Sequence, residues 1–322
     1  MTDQFGRNID YLRVSVTDRC NLRCRYCMPD GVCLAAHEDI LRYEEILRIC
    51  EMAVRLGITK FKVTGGEPLA RRGCVDFIRA LKALPGVEQV TLTTNGLLLA
   101  TVLNELEEIG IDGINISLDS LDGALFAALS GGPLDGPQRV LACLDECIGR
   151  GIRTKVNAVL LEENRAEWPK LAALAARGAD VRFIEKMPIG PGRELRGADP
   201  DEALRDLQAH WPDLHPVDEA RGNGPARYFA SAALKGRIGV IDAVSHKFCS
   251  SCNRVRLTST GRLKPCLCYD DNADLRALVR GGAADDELLA VMRQTIYAKP
   301  RAHCFDAVQD ITERRGMNQI GG

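Results

Sequence analysis

Cys20-Asn21-Leu22-Arg23-Cys24-Arg25-Tyr26-Cys27 contains three thiols spaced C-x3-C-x2-C, directly after the apolar run at residues 12–16. Three neighbouring cysteines cannot all pair locally, because each disulfide needs two thiols in a specific geometry. The spacing also differs from paired zinc patterns and from the ferredoxin run that supplies a complete ligand set. Three thiolates can instead hold one face of a four-iron cluster, which leaves one iron open for chemistry. Buried core cysteines or a zinc site are the alternative interpretation.

The cysteine spacing, with the aromatic Tyr26 before the last thiol, resembles the signature of the radical S-adenosylmethionine (SAM) superfamily. In that superfamily the three thiolates hold a [4Fe–4S] cluster, and the open iron binds SAM. The resemblance therefore implies that Cys20, Cys24 and Cys27 are metal ligands and that SAM is a cofactor.

Two further segments resemble one family within this superfamily. They are residues 12–20, Leu-Arg-Val-Ser-Val-Thr-Asp-Arg-Cys, and residues 317–322, Met-Asn-Gln-Ile-Gly-Gly. Both are similar to the GTP 3′,8-cyclases, the lyases that start molybdenum cofactor biosynthesis. The resemblance implies conversion of GTP to (8S)-3′,8-cyclo-7,8-dihydroguanosine 5′-triphosphate. Reductive cleavage of SAM would give a 5′-deoxyadenosyl radical that removes the hydrogen at C3′ of GTP, and C3′ would then join C8.

The composition limits the classes of protein to which this chain can belong. It has 322 residues and a formal net charge of −2, which argues against binding to nucleic acid or a membrane surface. No apolar run approaches the ~20 residues of a membrane span, and residues 1–7 lack the apolar core of a signal peptide. Thirteen cysteines without a secretion signal indicate reduced thiols. We therefore expect a cytoplasmic protein with no nucleic-acid or membrane partner.

Strand-like and helix-like stretches alternate from residue 11 to residue 187. We predict strands at residues 11–17, 60–66, 89–95, 113–119, 153–160, 180–187 and, later, 238–244. We predict helices at residues 43–56, 74–84, 98–109, 137–149, 166–177 and 200–208. This order indicates an α/β fold with a parallel sheet, and periodicity alone leaves a doubly wound sheet open. The resemblance implies a partial (β/α)6 TIM-like barrel of the radical SAM type.

The character of the sequence changes after Met187, where Pro188-Ile189-Gly190-Pro191-Gly192 indicates a break. We therefore predict a radical SAM partial barrel at residues 1–190. We predict a C-terminal extension at residues 191–322, which carries a second iron–sulfur site and a diglycine tail.

The predicted strands end in polar residues, and reactive groups of β/α barrels gather at such carboxyl ends. After the second strand comes Gly65-Gly66-Glu67-Pro68, where glycine allows close approach of the backbone because it lacks a Cβ atom. Without the cysteine triad this motif would indicate only a turn. The resemblance assigns SAM contacts to Tyr26, Gly66, Ser117 and Met187.

A second cysteine set follows the pattern Cys249-x2-Cys252-x13-Cys266. It resembles the C-terminal [4Fe–4S] site of the GTP cyclases, where three thiolates again leave one iron open, here for the guanine of the substrate. Cys268 is an extra thiol that the resembled pattern does not contain. It leaves open a four-cysteine zinc knuckle, or replacement of Cys266 by Cys268 as a ligand.

Several cations fall on strands that should face one cavity, and buried cations need a compensating anion. A triphosphate would supply it, because guanidinium groups bind phosphate with two hydrogen bonds. The resemblance assigns GTP contacts to Arg13, Lys62, Thr93, Lys155, Arg254, Val255 and Arg256, with Lys60 and Arg182 as weaker candidates. The family more often has Arg at position 62. Solvated surface charges are the alternative interpretation.

The terminal residues Gly321 and Gly322 would ordinarily be a frayed end. The resemblance instead implies a catalytic tail that reaches into the barrel. It further implies a reducing electron donor and a downstream cyclic pyranopterin monophosphate synthase in the same pathway, while the sequence leaves a homodimer open. Two other functions stay open from the residues alone. One is a radical SAM peptide-modifying enzyme with an auxiliary cluster, and the other is a non-enzymatic zinc or iron–sulfur protein.

Overall fold

The computed structural model describes residues 1–270 and 272–321. The first half contains the strands β1 (Tyr11–Ser15), β2 (Lys60–Thr64), β3 (Gln89–Thr94), β4 (Gly113–Ser117), β5 (Thr154–Leu160) and β6 (Asp180–Glu185). The helices between them are α1 (Tyr43–Arg55), α2 (Cys74–Lys82), α3 (Leu103–Ile109), α4 (Gly123–Ser130), α5 (Gly136–Gly149) and α6 (Trp168–Ala172). Consecutive strands pair in parallel from β1 to β6. The predicted α/β fold with a parallel sheet is therefore confirmed.

The C-terminal part adds strands at both edges of this sheet. They are β7 (His215–Val217), β8 (Arg227–Ala230), β9 (Ile238–Ile241), β10 (Arg254–Leu257), β11 (Arg262–Lys264) and β12 (Ala273–Asp274). The helices of this part are α7 (Pro200–His210), α8 (Leu275–Arg280), α9 (Asp285–Tyr297) and α10 (Met317–Ile320). The strand order is β12-β11-β10-β1-β2-β3-β4-β5-β6-β9-β8-β7 across the described residues. One continuous sheet thus joins both predicted domains, and the division at residue 190 stays a prediction.

The predicted elements differ from the structure mainly at their ends. β2 stops at Thr64 instead of residue 66, because Gly65 and Gly66 leave the sheet to pack on the cysteine loop. The helix predicted at 166–177 is wrong as one element: a 3₁₀ turn precedes α6, and a second 3₁₀ turn follows it. Sequence patterns also did not predict α4, α8, α9 or most of the C-terminal strands.

Side chains alternate between the two faces of the parallel strands. Leu12 and Phe61, which are partners in the β1–β2 register, are fully buried against the surrounding helices. The next pair in register, Arg13 and Lys62, points to the opposite face and lines the interior. The outer face is therefore the apolar core, and the inner face carries the polar groups.

A small second core fixes the segment that leads to the C-terminus. It contains the buried side chains of Ile189, Leu267, Cys268, Phe305, Ile311 and Ile320. Beside it, Lys264 and Glu313 form an ion pair in which both side chains are almost completely buried. Burial alone would raise the pKa of Glu313, but hydrogen bonds from Arg315 and Lys264 outweigh it and hold the pKa at about 2.

We expect Glu313→Ala to lower the free energy of unfolding by about 3–5 kcal/mol, because Lys264 then stays buried without its counter-charge. Urea denaturation at neutral pH measures the difference. The matched control is Glu163→Ala, which removes an exposed pair with Arg25 and should change stability by less than about 1 kcal/mol. Equal effects of the two variants would contradict a stabilising role for the buried pair.

Candidate functional site

The carboxyl ends of the parallel strands surround a cavity of about 1450 Å³, including its open mouth. Most of the site residues predicted from sequence line it: Arg13, Cys20, Cys24, Tyr26, Cys27, Lys62, Gly66, Thr93, Ser117, Met187, Arg254 and Arg256. The residues predicted to hold a cluster, to contact SAM and to contact a substrate therefore share one cavity.

Three of the predicted or considered substrate residues lie elsewhere. Lys155 lines a smaller opening near the amino-terminal ends of the strands, together with Lys62 and Arg182. The Val255 side chain is 1% exposed and belongs to the hydrophobic core, so only its backbone is available to a ligand. Lys60, a weaker candidate, pairs with Asp10 at 2.6 Å.

Close backbone contacts hold the cysteine loop in its position after β1. The Gly66 N–H donates to the Thr17 carbonyl at 2.7 Å, and the Glu67 N–H donates to the Arg19 carbonyl at 2.8 Å. A Cβ atom at Gly65 would lie 2.6 Å from the Thr17 carbonyl oxygen, and one at Gly66 would overlap the Arg19 carbonyl. Both glycines are therefore required by the packing of one loop on the other.

The first cysteine triad fits an iron–sulfur cluster better than a single ion. The three thiols line one cavity, and every cysteine of the described chain is free of disulfide bonds. No group of three His, Cys, Asp or Glu side chains in residues 1–270 and 272–321 could hold one metal ion. Burial and the neighbouring Cys20 raise the pKa of Cys27 to about 12. Thiolates here need a cationic partner, and the irons of a cluster supply it.

Three residues that sequence analysis gave no role support this loop. Asp119 accepts a hydrogen bond from the Tyr26 hydroxyl at 2.7 Å. The Asn95 side chain donates to Asn21 at 2.7 Å and lies 3.8 Å from the Cys20 sulfur. Glu67 accepts from Thr94 and from the Asn95 N–H, while burial raises its pKa to about 7. All three residues follow the carboxyl end of a strand, and this position was the one feature of the sequence that could have identified them as site residues.

The second cysteine triad opens onto an adjoining cavity of about 860 Å³. Cys249, Cys252 and Cys266 line it together with Lys299 and His303. Six side chains line both cavities: Arg13, Ile184, Met187, Ile241, Arg254 and Arg256. The two triads therefore face adjoining cavities that share a wall of six side chains.

Cys268 does not line either of these cavities. Its sulfur is fully buried and lies 2.8 Å from the sulfur of Cys304. Because Cys249, Cys252 and Cys266 line the second cavity and Cys268 does not, this arrangement argues against the four-cysteine zinc knuckle.

A group of cations lines the interior, and we call it the cation group: Arg13, Lys62, Lys155, Arg182, Arg254 and Arg256. Burial, followed by repulsion from the neighbouring arginines, lowers the pKa of Lys62 well below its usual value. The same causes lower the pKa of Lys155 to about 7 and that of Arg256 well below its usual value. Arg182 is held by Asn157 at 2.9 Å and by Asn115 at 2.7 Å. Such an interior favours an anionic ligand.

The C-terminal tail lies beside the same cavity, and Met317 contributes to its lining. Gly321 adopts a positive φ of 78° and lies against Ser15 and Thr64, where a Cβ atom would be 3.2 Å from the Ser15 side chain. The Arg256 guanidinium donates to the Gly321 carbonyl. The Asn318 side chain donates to the Asp18 carbonyl at 3.1 Å. Gly322, the other predicted catalytic residue, lies outside the described residues.

The fold and the site define a β/α protein with a triad of free cysteines in a cavity at the carboxyl ends of a parallel sheet. The family model described as "Radical SAM superfamily" matches residues 14–175, and the one described as "Molybdenum Cofactor Synthesis C" matches residues 179–305. Proteins named GTP 3′,8-cyclase from Clostridium perfringens (strain 13) and Paracoccus denitrificans are similar to the chain. The first is 40% identical over all of both chains. The second is 44% identical over 95% of this chain and 90% of its own.

Solved structures of radical SAM type resemble the fold at low sequence identity. Streptococcus suis SuiB bound to S-adenosylmethionine has a TM-score of 0.65 at 14% identity, covering 97% of this chain and 77% of its own. Native anSMEcpe with bound AdoMet has a TM-score of 0.60 at 16% identity, and the match covers 92% of this chain and 82% of the anSMEcpe chain. The chain belongs to the radical SAM superfamily and, within it, to the GTP 3′,8-cyclase family. As a member of that superfamily it uses SAM and an iron–sulfur cluster.

We expect Cys24→Ser to remove the first cluster, because a buried serine oxygen replaces a thiolate that iron prefers. Iron content after anaerobic reconstitution should fall by about four atoms per chain, and 5′-deoxyadenosine should no longer form from SAM. Cys33→Ser is the control, because Cys33 is exposed and lies outside the cavity lining. Retained deoxyadenosine formation in Cys24→Ser would contradict the assignment of the cluster to this loop.

Proposed function

We propose that the protein is a GTP 3′,8-cyclase that converts GTP to (8S)-3′,8-cyclo-7,8-dihydroguanosine 5′-triphosphate. The observation that carries the proposal is the cation group: five of its members line the cavity of the first cysteine triad, and three of these five also line the cavity of the second. A triphosphate matches these cations in charge, and the relatives that cover the whole chain are named for this activity.

The first triad, Cys20, Cys24 and Cys27, would hold the SAM-binding [4Fe–4S] cluster. When bound, this cluster and SAM together supply the radical that starts the reaction. The proposed SAM contacts are Tyr26, Gly66, Ser117 and Met187, and all four line the cavity beside the triad. Because the Gly66 N–H is already bonded to Thr17, its carbonyl is the group available to a ligand. Tyr26 is oriented by Asp119.

The proposed GTP contacts are Arg13, Lys62, Thr93, Lys155, Arg254, the backbone of Val255, and Arg256. We add Arg182, because Asn115 and Asn157 hold its guanidinium in the interior. These residues bind and orient the triphosphate, and charge pairing excludes water from around it. No P-loop motif is present in the sequence, so the phosphates rely on side-chain cations.

The second triad, Cys249, Cys252 and Cys266, would hold a second [4Fe–4S] cluster that positions the guanine. Burial would raise the pKa of Cys252, but Lys299 and Arg254 outweigh it and lower that pKa, which suits a thiolate ligand. The proposed catalytic tail is Gly321 with Gly322. Its narrow backbone suits a crowded cavity, and the hydrogen bond from Arg256 supports an inward position.

Further parts of the proposal concern the domains of the chain and its partners. We propose a barrel at residues 1–190 and a C-terminal region at residues 191–322. We also propose that the protein receives electrons from a reducing donor and forms a homodimer. We also propose a downstream cyclic pyranopterin monophosphate synthase and a cytoplasmic location. Among the described residues, no helix combines the length and apolar character that crossing a membrane requires.

Anaerobically reconstituted protein given SAM, GTP and a reductant should form the cyclised nucleotide, which mass spectrometry detects. Arg256→Ala should weaken GTP binding about 10- to 100-fold, because it removes charge-assisted hydrogen bonds. SAM cleavage uncoupled from product formation should persist in this variant.

The control for this experiment is Arg262→Ala on the neighbouring strand β11, where Arg262 pairs with Asp274 and lies outside both cavity linings. Arg256→Lys keeps the charge and should bind GTP with intermediate affinity. Absence of the cyclised product from wild-type protein that still cleaves SAM would refute the proposed reaction. Unchanged GTP affinity in Arg256→Ala would remove that residue from the site.

GTP binding should weaken as pH rises above 7. The pKa of Lys155 is about 7 without ligand, because burial and the nearby Arg182 disfavour its charge. A phosphate beside the ammonium raises this pKa. Below pH 7 the Lys155 side chain is charged both in the free protein and in the GTP complex. Above pH 7 the free side chain is neutral, so Lys155 must take up a proton when GTP binds. Its contribution should reduce affinity by up to about tenfold per pH unit.

Equilibrium titration of GTP from about pH 7.5 to 9 measures this slope. Lys155→Arg keeps a charge across the whole range, so it should bind GTP with a smaller pH dependence than wild type. The difference between the two slopes isolates Lys155 from other groups that titrate, including Lys62. Identical slopes would show that Lys155 is not protonated on binding.

A further inference from the structure

Two cysteines outside both triads lie in direct contact. The sulfur atoms of Cys268 and Cys304 are 2.8 Å apart, which is inside the van der Waals contact distance of two sulfurs. The Cys304 N–H also donates to the Cys268 sulfur at 3.3 Å. The two residues are 36 positions apart in the chain, so tertiary packing, and not local spacing, brings them together.

The surroundings of this pair are suited to a covalent link and unsuited to a metal. Cys268 belongs to the small core with Ile189, Leu267 and Phe305. No third His, Cys, Asp or Glu of the described chain completes a metal site with the two thiols. Cys304 is partly exposed, whereas Cys268 is fully buried. An oxidant from solution therefore reaches Cys304 first, and Cys268 is positioned to react second.

We propose that Cys268 and Cys304 form a reversible disulfide, a modification site separate from both cysteine triads. With a glutathione-type disulfide as oxidant, the Cys304 thiolate attacks one sulfur and releases one glutathione thiolate, giving a mixed disulfide. The Cys268 thiolate then attacks the Cys304 sulfur and releases the second glutathione. The two protein thiols lose two electrons and two protons, and the oxidant is reduced to two thiols.

The position of the pair gives this link a structural consequence. Cys268 follows the ligand Cys266 by two residues, and Cys304 follows His303 in the wall of the second cavity. The segment after Cys304 leads to the C-terminal tail. The disulfide therefore ties the second cysteine triad to the base of the tail, and oxidation fixes both relative to each other. Disulfides of reducing compartments are mostly transient ones of this kind.

The test uses the full chain with its clusters, incubated anaerobically with oxidised glutathione, then denatured, alkylated and digested with trypsin. We expect a linked species between the peptides spanning residues 263–276 and 302–314, which dithiothreitol removes. Exposed Cys33 reports that the oxidant has acted, because it should carry glutathione. Cys143 and Cys147, four residues apart on α5, should stay alkylated as unlinked thiols.

Variants assign the link, because Cys266 and Cys268 occur on the same tryptic peptide. Both Cys304→Ser and Cys268→Ala should abolish it, while Cys147→Ser should leave it unchanged. Cys304→Ala is a second variant at the more tolerant, partly exposed position. A link that persists in Cys268→Ala would overturn the proposal, since Cys266 would then be the partner. Alkylation of both Cys268 and Cys304 in protein whose Cys33 is fully glutathionylated would overturn it as well. The readout does not depend on cyclase activity.

Discussion

Burying several cations side by side is unfavourable unless an anion lies among them, and this constraint governs the interior of the protein. The pKa values of Lys62 and Arg256 fall because of burial first and mutual repulsion second. Two members of the group have described partners of different kinds: Asp180 lies 3.6 Å from Lys155, and Arg182 has neutral amides as partners. A fold selected for stability alone would carry apolar side chains here. The proposed anionic ligand would therefore offset the unfavourable burial of these cations.

Strand register explains how cations from distant parts of the sequence come together. β10 lies parallel to β1, with Arg256 opposite Arg13 and Arg254 opposite Tyr11. On the other side of β1, Arg13 is opposite Lys62. Side chains in register share one face of a sheet, so these cations form a row across three strands. The C-terminal strand thus completes the site by joining the edge of the sheet, and the second cysteine triad is delivered beside it.

The sequence predicted the parts of the site that depend on local pattern. Alternation of strands and helices identified β1 to β6, and the cysteine spacing with the resemblance identified the cluster loop. The pairing of β10 with β1 could not be predicted, because no periodicity encodes a contact between residues so far apart. The orientation of Val255 toward the core follows from that pairing, since its neighbours Arg254 and Arg256 face inward. The contacts of Glu67 with Thr94 and Asn95, and of Asp119 with Tyr26, could not be predicted either, because they join loops that are distant in the sequence.

Gly66 shows why resemblance and physical structure give complementary accounts of one residue. The family pattern connects this position with SAM, whereas the structure shows that any Cβ atom there would meet the Arg19 carbonyl. The glycine is thus required before any ligand binds, because it lets two backbone segments lie in contact below the cysteines. A ligand contact through the remaining carbonyl adds to that requirement without replacing it.

The tail and the cation group are physically connected through Arg256. Its guanidinium donates to the Gly321 carbonyl while lying among other cations. A guanidinium has five N–H donors, so one side chain can hold the tail carbonyl and still bind an anion. An anion that pairs with Arg256 would also offset the repulsion between Arg256 and the neighbouring Arg13 and Arg254. If GTP binds as proposed, ligand charge and tail position would therefore be linked through Arg256, which lines both cavities.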